Sequence, residues 1–342
     1  YFEGVAARLE ERAEALLAAN AADLDAAQGH YAPAILDRGR MTPTRLQDMA
    51  AQQRALIGAP EVVGRAVRSW TRPNGLRFQE VRHPLGVIAA VFEARSNVAT
   101  DIAGQAIKSR NTVVLKGGRM LARTDAAIID TVLRPAAEAA GLPPAAIGFM
   151  RIPDRSCAVA MLDEHPDACI GRGDNPLITM LARECGQRGI ELIAHDKGGA
   201  WLYVDRRADP ETALAIVRNS LDRRGVCNRL NVLLVHAAVA PGFLPRAIAA
   251  LVEIHMTANG TERGRALVPD LRPSEADLGH EWLNDNITVD IPADWREALD
   301  LANRWNTGIG LAICTADQAL ARRMALLYNG TYFGINALTR FN

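Results

Sequence analysis

The sequence has few cysteines, and no two of them are spaced C-x-x-C. Five cysteines in 342 residues, an odd number, argue against a disulfide framework and a structural zinc site. The chain also has no net charge, because its 39 Lys and Arg residues balance its 39 Asp and Glu residues. A neutral chain has no general electrostatic attraction to nucleic acid or to anionic membranes. We therefore expect neither as a partner.

Several further absences narrow the class of protein. The longest apolar runs, such as residues 85–92, fall far short of the roughly 18 residues of a membrane helix. The first residues do not have the pattern of a signal peptide, so we expect none. There is no P-loop and no G-x-S-x-G elbow. His280-Glu281 begins like a zinc-binding helix but lacks the second histidine, so no metal site is expected. These features predict a reduced, cytoplasmic, soluble protein.

The apolar pattern that is present predicts an α/β fold. Residues 1–28 indicate one amphipathic helix, and residues 62–82 indicate a β-hairpin that turns at Pro73-Asn74-Gly75. From Gly86 onward, short apolar strands alternate with helices in two series, and a loop is expected over residues 258–278. Such alternation is typical of parallel sheets with helices on both faces. The length allows two or three domains.

Cys227 is the candidate nucleophile, because it lies in a polar turn between a predicted helix and a buried strand. Three nearby arginines favour the thiolate, and loops at strand ends carry reactive groups in α/β proteins. The alternative is an unreactive, partly exposed cysteine. The other four cysteines lie in apolar or helical patterns typical of small core residues.

Two positions are candidates for cofactor binding. Lys116 ends a predicted strand before Gly117-Gly118, where a side chain faces the ligand crevice of a parallel sheet; the alternative is a solvated charge at a strand end. Gly173 belongs to a G-x-G that precedes a helix, where glycine allows close approach of a phosphate or a nicotinamide, although most such sequences are simple turns.

Several short segments, in order along nearly the whole chain, match one known family. They are AILDR (34–38), TP (42–43), PLGVI (84–88), FEARSNV (92–98), NTVVLKGG (111–118), GLPP (141–144), VCN (226–228), LAN (301–303) with Gly308, and NALTRF (336–341). Together they resemble the γ-glutamyl phosphate reductases of the aldehyde dehydrogenase superfamily.

The resemblance implies an architecture of two parallel-sheet α/β domains with a protruding arm. Residues 1–60 and 84–195 would form the NAD(P)-binding domain, residues 61–83 a β-hairpin oligomerisation arm, and residues 196–342 the catalytic domain. A homo-oligomer, a dimer or a tetramer, would follow from the arm. The family's chains continue beyond the match at Arg340, so we expect the C-terminal part of the catalytic domain to be missing and the chain to be trimmed or truncated.

The resemblance also assigns roles to individual residues. Cys227 matches the nucleophile. Lys116 matches the lysine that holds the adenosine ribose or its 2′-phosphate, and Glu281 matches the glutamate that binds the nicotinamide ribose. Gly173 lies in the turn beside the cofactor. The family's oxyanion donor lies in the loop after the predicted strand of residues 86–92, and here that loop offers Arg95 and Asn97. Alignment from the strand points to Arg95, whereas alignment from the helix points near Glu93, so both candidates stay open.

The implied reaction is the NADPH-dependent reduction of L-glutamyl 5-phosphate to glutamate 5-semialdehyde, through a thioester on Cys227, in proline biosynthesis. NAD remains possible as the cofactor. Asp196 lies two residues before Gly198-Gly199 and could activate water, so an aldehyde dehydrogenase with another aldehyde or acyl phosphate as substrate is the alternative. A non-catalytic homologue that binds a nucleotide or a partner subunit is a third hypothesis.

Overall fold

The computed structural model describes residues 1–31, 33–195, 197–223, 226–269, 271–274, 277–282 and 284–340. The chain divides into two compact units, Tyr1–Asp196 and Lys197–Asn342. Asp196, whose role the sequence leaves open, lies outside the described residues. Each unit is built around a parallel sheet of its own.

The first unit begins with four helices and then alternates strands with helices. Its helices are α1 (Phe2–Glu11), α2 (Ala13–Ala27), α3 (Pro33–Gly39), α4 (Pro43–Gly58), α5 (Val98–Lys108), α6 (Ala122–Ile128), α7 (Arg134–Ala139), α8 (Ser156–Asp163) and α9 (Asn175–Arg188), with a π-helical stretch, Ile129–Leu133, joining α6 to α7. Its strands are β1 (Ala66–Thr71), β2 (Arg77–Val81), β3 (Val87–Phe92), β4 (Thr112–Lys116), β5 (Ile147–Phe149), β6 (Ala168–Arg172) and β7 (Glu191–His195).

The five-stranded sheet of this unit has the order β5-β4-β3-β6-β7 and is parallel throughout. The chain moves outward from β3 through β4 to β5, then returns to pair β6 with the other side of β3. This reversal creates a switch point between β3 and β6, where the loops that follow the two strands diverge and leave a crevice at their carboxyl ends. The main-chain N–H of Glu93 closes the base of that crevice by donating to the carbonyl of Arg172 at 3.0 Å.

The remaining two strands form an antiparallel hairpin that is separate from this sheet. In it, Trp70 of β1 faces Phe78 of β2, and their rings stack with centroids 5.2 Å apart. Every residue of β1 is exposed, and so is nearly all of β2. The hairpin buries little of its own apolar surface.

The second unit repeats the strand and helix alternation. Its helices are α10 (Pro210–Asn219), α11 (Ala240–Glu253), α12 (Glu262–Leu267), α13 (Trp295–Trp305) and α14 (Gln318–Leu327), and its strands are β8 (Ala200–Val204), β9 (Leu230–Val235), β10 (Thr257–Gly260), β11 (Arg272–Pro273), β12 (Asn286–Asp290), β13 (Leu311–Cys314) and β14 (Phe333–Ile335). They form a seven-stranded parallel sheet in the order β11-β10-β12-β9-β8-β13-β14. The central strands β8 and β9 are buried along their whole length, as expected of a sheet covered on both faces.

The predicted α/β fold is confirmed, with two local corrections. The helix expected over residues 1–28 is two helices, because the chain breaks at Arg12, whose backbone leaves the helical region at φ −99° and ψ 10°. The loop expected over residues 258–278 contains β10, α12 and β11. The sequence does not predict these elements because they are short and because Gly, Arg and Pro interrupt any periodic pattern of apolar residues.

Candidate active site

The five cysteines fall into two groups by burial. Cys169, Cys185 and Cys314 are buried, and this burial raises the pKa of each thiol, that of Cys314 to about 11. A buried thiol with a raised pKa stays protonated near neutral pH and is a poor nucleophile. Cys157, on α8, and Cys227 are half-buried. Burial therefore separates the predicted nucleophile from the three core cysteines.

Cys227 lies three residues before β9, against the Gly198-Gly199 turn that precedes β8. The N–H of Gly199 donates to the carbonyl of Cys227 at an N···O distance of 2.5 Å. A Cβ atom at position 198 would collide with the Cα, Cβ and carbonyl oxygen of Cys227, and Gly199 has a φ of +109°. Only glycine fits at either position, the first because of close approach and the second because of its backbone conformation.

Glu281 lies at the same end of the sheet as Cys227, and Asn231 of β9 bonds to the residues on both sides of it. The side-chain amide of Asn231 donates to the carbonyl of His280 at 2.6 Å and accepts from the N–H of Trp282 at 2.8 Å. It therefore holds the peptide groups on both sides of Glu281. Cys227 and Glu281 both lie at the amino end of this sheet, the end opposite to the one at which most parallel α/β sheets bind ligands.

In the first unit, the predicted residues gather at the carboxyl end of the sheet, around its switch point. Arg95 and Asn97 follow β3, Gly173 follows β6, and Lys116 ends β4. Lys116 is only 1% exposed, and its Nζ donates to the carbonyl of Pro153 at 2.9 Å. Burial lowers the pKa of this lysine. The alternative of a solvated strand-end charge is therefore wrong.

Gly173 lies at the start of α9, where an ion-pair network crosses the crevice. Arg155 contacts the carboxylate of Asp174 at 2.9 Å and that of Glu93 at 3.4 Å. Asp174 also caps α9 by accepting from the N–H of Leu177 at 2.8 Å. Pro176 has no N–H, and the N–H of Leu177 is already bonded to Asp174. Two first-turn positions of this helix are therefore unavailable to a phosphate. Arg155 therefore pairs with both carboxylates beside this turn.

Asn97 immediately precedes α5 and is bonded to the half-buried carboxyl of Asp101. Its Nδ2 donates to Asp101 at 2.6 Å. Burial raises the pKa of Asp101 to about 6, although the hydrogen bond from Asn97 and the charge of Arg172 oppose that shift. An amide nitrogen carries two hydrogens, so Asn97 retains a second N–H besides the one given to Asp101.

Sequence reasoning missed Asn231, Arg155 and Asp101, each of which holds a predicted residue or its loop. No local pattern marks Asn231 or Arg155, because their partners lie 19 to 62 residues away in the sequence. Asp101 bonds to a residue four positions away, but the pair looks like an ordinary helix start. Among the described residues, no group of three or more His, Cys, Asp or Glu side chains is placed to hold a metal ion. Within the residues that the structure describes, no helix has both the length and the apolar character needed to cross a bilayer.

Comparison with known proteins decides the family. The model of the aldehyde dehydrogenase family matches residues 6–290. The chain belongs to the aldehyde dehydrogenase family. It is an oxidoreductase that acts on an aldehyde, and enzymes of this family use NAD(P).

Individual members of the family confirm the resemblance to the γ-glutamyl phosphate reductases. The reductase of Moorella thermoacetica is 37% identical over 98% of this chain and 81% of that protein, and the reductase of Chloroflexus aggregans is 38% identical over 99% and 82%. The crystal structure of the reductase from Thermotoga maritima superposes with a TM-score of 0.88 at 29% identity, covering 99% of this chain and 82% of that one. An acetylating aldehyde dehydrogenase from Geobacillus thermoglucosidasius, at 18% identity and a TM-score of 0.69, shares the fold.

Proposed function

We propose that this chain catalyses the NADPH-dependent reduction of L-glutamyl 5-phosphate to glutamate 5-semialdehyde, a step of proline biosynthesis, with Cys227 as the nucleophile. The observation that carries the proposal is the setting of Cys227, half-buried on a loop that Gly198 and Gly199 hold at the amino end of a parallel sheet. The similarity to named γ-glutamyl phosphate reductases over nearly the whole chain supports this choice of substrate.

The chemistry at Cys227 follows from its thiolate. The sulfur attacks the acyl carbon of the substrate, an S–C bond forms, and the C–O bond to phosphate breaks, so that phosphate leaves with the electron pair. When bound, NADPH supplies the hydride that a thioester of this kind accepts. The resulting thiohemiacetal oxygen returns its electrons to carbon, the C–S bond breaks, and Cys227 regains its thiolate as the aldehyde leaves.

A hydrogen-bond donor must stabilise the oxyanion that forms in both steps. We assign this role to Arg95 or Asn97, which follow β3. Loss of one oxyanion donor typically lowers kcat by about 10²–10³. Separate substitutions Arg95→Ala and Asn97→Ala therefore identify the donor, because the other substitution leaves most of the rate intact.

We assign cofactor binding to Lys116, Gly173 and Glu281. The buried cation of Lys116 suits the adenosine ribose or its 2′-phosphate, and Gly173 leaves space beside α9, where a Cβ would press on Leu177. Glu281 would accept from the hydroxyls of the nicotinamide ribose. The preference for NADP requires that Lys116 hold the 2′-phosphate and not the ribose.

The exposed hairpin β1–β2 would be an oligomerisation arm, because its apolar side chains have little cover within the chain. Val67 and Leu76 are each 53% exposed. A second copy of the chain, forming a dimer or tetramer, is the partner proposed for this surface.

A panel of aldehydes, assayed in the oxidative direction with and without inorganic phosphate, tests the proposed reaction. NADP⁺ reduction should require both glutamate 5-semialdehyde and phosphate, since phosphate is the acyl acceptor. Phosphate-independent oxidation of a different aldehyde would reject the proposal in favour of a hydrolytic dehydrogenase.

A further inference from the structure

Asn231 makes its two side-chain bonds to the peptide groups that flank Glu281. It lies in β9 four residues after Cys227, and only 2% of it is exposed. Its amide donates to the carbonyl of His280 at 2.6 Å and accepts from the N–H of Trp282 at 2.8 Å. A side chain that pairs with both neighbouring peptides fixes the direction of the residue between them.

The other members of this turn reinforce the same placement. The indole Nε1 of Trp282 donates to the hydroxyl of Thr288 in β12 at 2.9 Å, and its ring meets the His280 ring edge-on with centroids 4.6 Å apart. The Glu281 turn is thus bonded to β9 on one side and to β12 on the other.

Arg229 holds the chain just beyond this turn. Arg229 immediately precedes β9, two residues before Asn231. Arg229 is 1% exposed and donates to the carbonyls of Asn284, at 2.5 Å, and Asn286. The side chains of Arg229 and Asn231 therefore bond to the 280–282 turn and to the start of β12.

Asn231 also lies against the glycine turn beside Cys227. A Cβ atom at Gly199 would lie 2.9–3.1 Å from the side chain of Asn231, so the glycine leaves the space that this amide occupies. The N–H of Gly199 in turn bonds the carbonyl of Cys227. Asn231 is packed between the turn that holds the cysteine and the turn that holds the glutamate.

We propose that Asn231 is a positioning residue that sets the carboxylate of Glu281 relative to the Cys227 loop, through its paired bonds to residues 280 and 282. The inference rests on the function proposed above, in which Glu281 binds the nicotinamide ribose. Asn231 itself need not contact cofactor or substrate. Its effect on cofactor binding should pass entirely through Glu281.

Asn259 of β10 provides a matched control on the same sheet. It is also a buried asparagine, and its Nδ2 donates to the Asn286 side chain at 3.0 Å and to the carbonyl of Ile287 at 3.1 Å. Neither bond is made to a peptide group that flanks Glu281. Asn259→Ala should lower the Tm as Asn231→Ala does, because each leaves buried polar groups without a partner, but it should not change cofactor affinity.

A double-mutant cycle on NADPH binding by the full chain tests the proposal. The Kd is measured by fluorescence titration for Asn231→Ala, Glu281→Ala and the double variant. We expect each single substitution to weaken binding about tenfold, the worth of one net hydrogen bond. The double variant should be no weaker than the weaker single variant, because the two residues act as one unit.

Two results would overturn the proposal while leaving the proposed function intact. In the first, Glu281→Ala weakens binding and the two effects multiply to about 100-fold in the double variant, as independent residues require. In the second, Asn231→Ala lowers only the Tm, as the Asn259→Ala control does. If Glu281→Ala itself leaves the Kd unchanged, the role assigned to Glu281 fails, and the inference fails with it. Should Asn231→Ala not fold, Asn231→Asp keeps the shape but replaces the donor to His280 with a carboxylate oxygen, and the same cycle is run with it.

Discussion

The main-chain carbonyl of Cys227 accepts a hydrogen bond from the N–H of Gly199 at 2.5 Å. This bond ties the loop of the proposed nucleophile to the turn before the neighbouring central strand, β8. Two consecutive glycines make it possible, because a side chain at 198 would overlap Cys227 and one at 199 would be strained at a φ of +109°. The cysteine loop is thereby shaped by residues almost thirty positions earlier in the chain.

The first prediction concerns this contact. Gly198→Ala should remove nearly all activity, because the new methyl group must displace the backbone of Cys227. Gly242→Ala is the control in the same unit, since position 242 lies in α11 with open space around it and should tolerate or favour alanine. Steady-state kcat and Tm of both variants provide the check. Normal kcat in Gly198→Ala would show that this loop does not carry the chemistry.

The second prediction concerns Lys116. Lys116→Met should weaken NADPH binding by about 10–100-fold, because a charge-assisted hydrogen bond contributes about 1.5–3 kcal/mol. If the lysine holds the 2′-phosphate, NADH binding should change far less than NADPH binding, and if it holds the ribose both should fall together. Fluorescence titration with each cofactor measures this. Lys108→Met, at the far end of α5, serves as the control, and equal affinities in both variants would remove Lys116 from the cofactor site.

The strand and helix pattern of the chain, and the family, are readable from the sequence because both depend on local features. Thr42-Pro43 predicts a helix start, and the structure has Thr42 capping α4 through a bond from the N–H of Arg45. The apolar run of residues 86–92 predicts a buried strand, and the structure has β3 at Val87–Phe92 with all but its first residue buried. Neither inference needs knowledge of a distant partner.

The support of the site is not readable in this way. The bonds of Asn231 to residues 280 and 282 span about fifty positions, and the pairing of Arg155 with Glu93 spans 62. A buried polar residue in a strand gives no sign of its partner until the strands are placed side by side. Residues that position the candidate groups therefore emerge only with the fold.

The third prediction concerns pH. Burial raises the pKa of Asp101 from 3.8 to about 6, so the folded state disfavours its ionised form. The contribution of Asp101 to stability is therefore fully present below its unfolded pKa and is lost as the pH rises through about 6. The difference between the two pKa values corresponds to about 3 kcal/mol.

Asp101→Asn should remove this component. Urea unfolding between pH 4 and pH 7 should show the variant gaining stability relative to the wild type as the pH rises. Parallel curves for the two proteins would mean that Asp101 ionises as freely in the folded chain as in the unfolded one.

The fourth prediction concerns the hairpin. Val67→Asp and Trp70→Ala should lower the mass of the assembly in sedimentation velocity, because a charge or a lost ring at an apolar contact destabilises it. Leu326→Asp, at an 87% exposed position on α14, is the control and should leave the mass unchanged. If the hairpin variants sediment as the wild type does, the hairpin is not the contact between copies.

The central claim is that Cys227 carries an acyl group that phosphate then accepts, and a pre-steady-state measurement of NADPH formation tests it most directly. Enzyme is mixed with glutamate 5-semialdehyde and NADP⁺ without phosphate. We predict a burst of about one NADPH per active subunit that stops when the thioester has formed, steady turnover once phosphate is added, and no burst in Cys227→Ala. Steady turnover without phosphate, or a burst that survives in Cys227→Ala, would contradict the account.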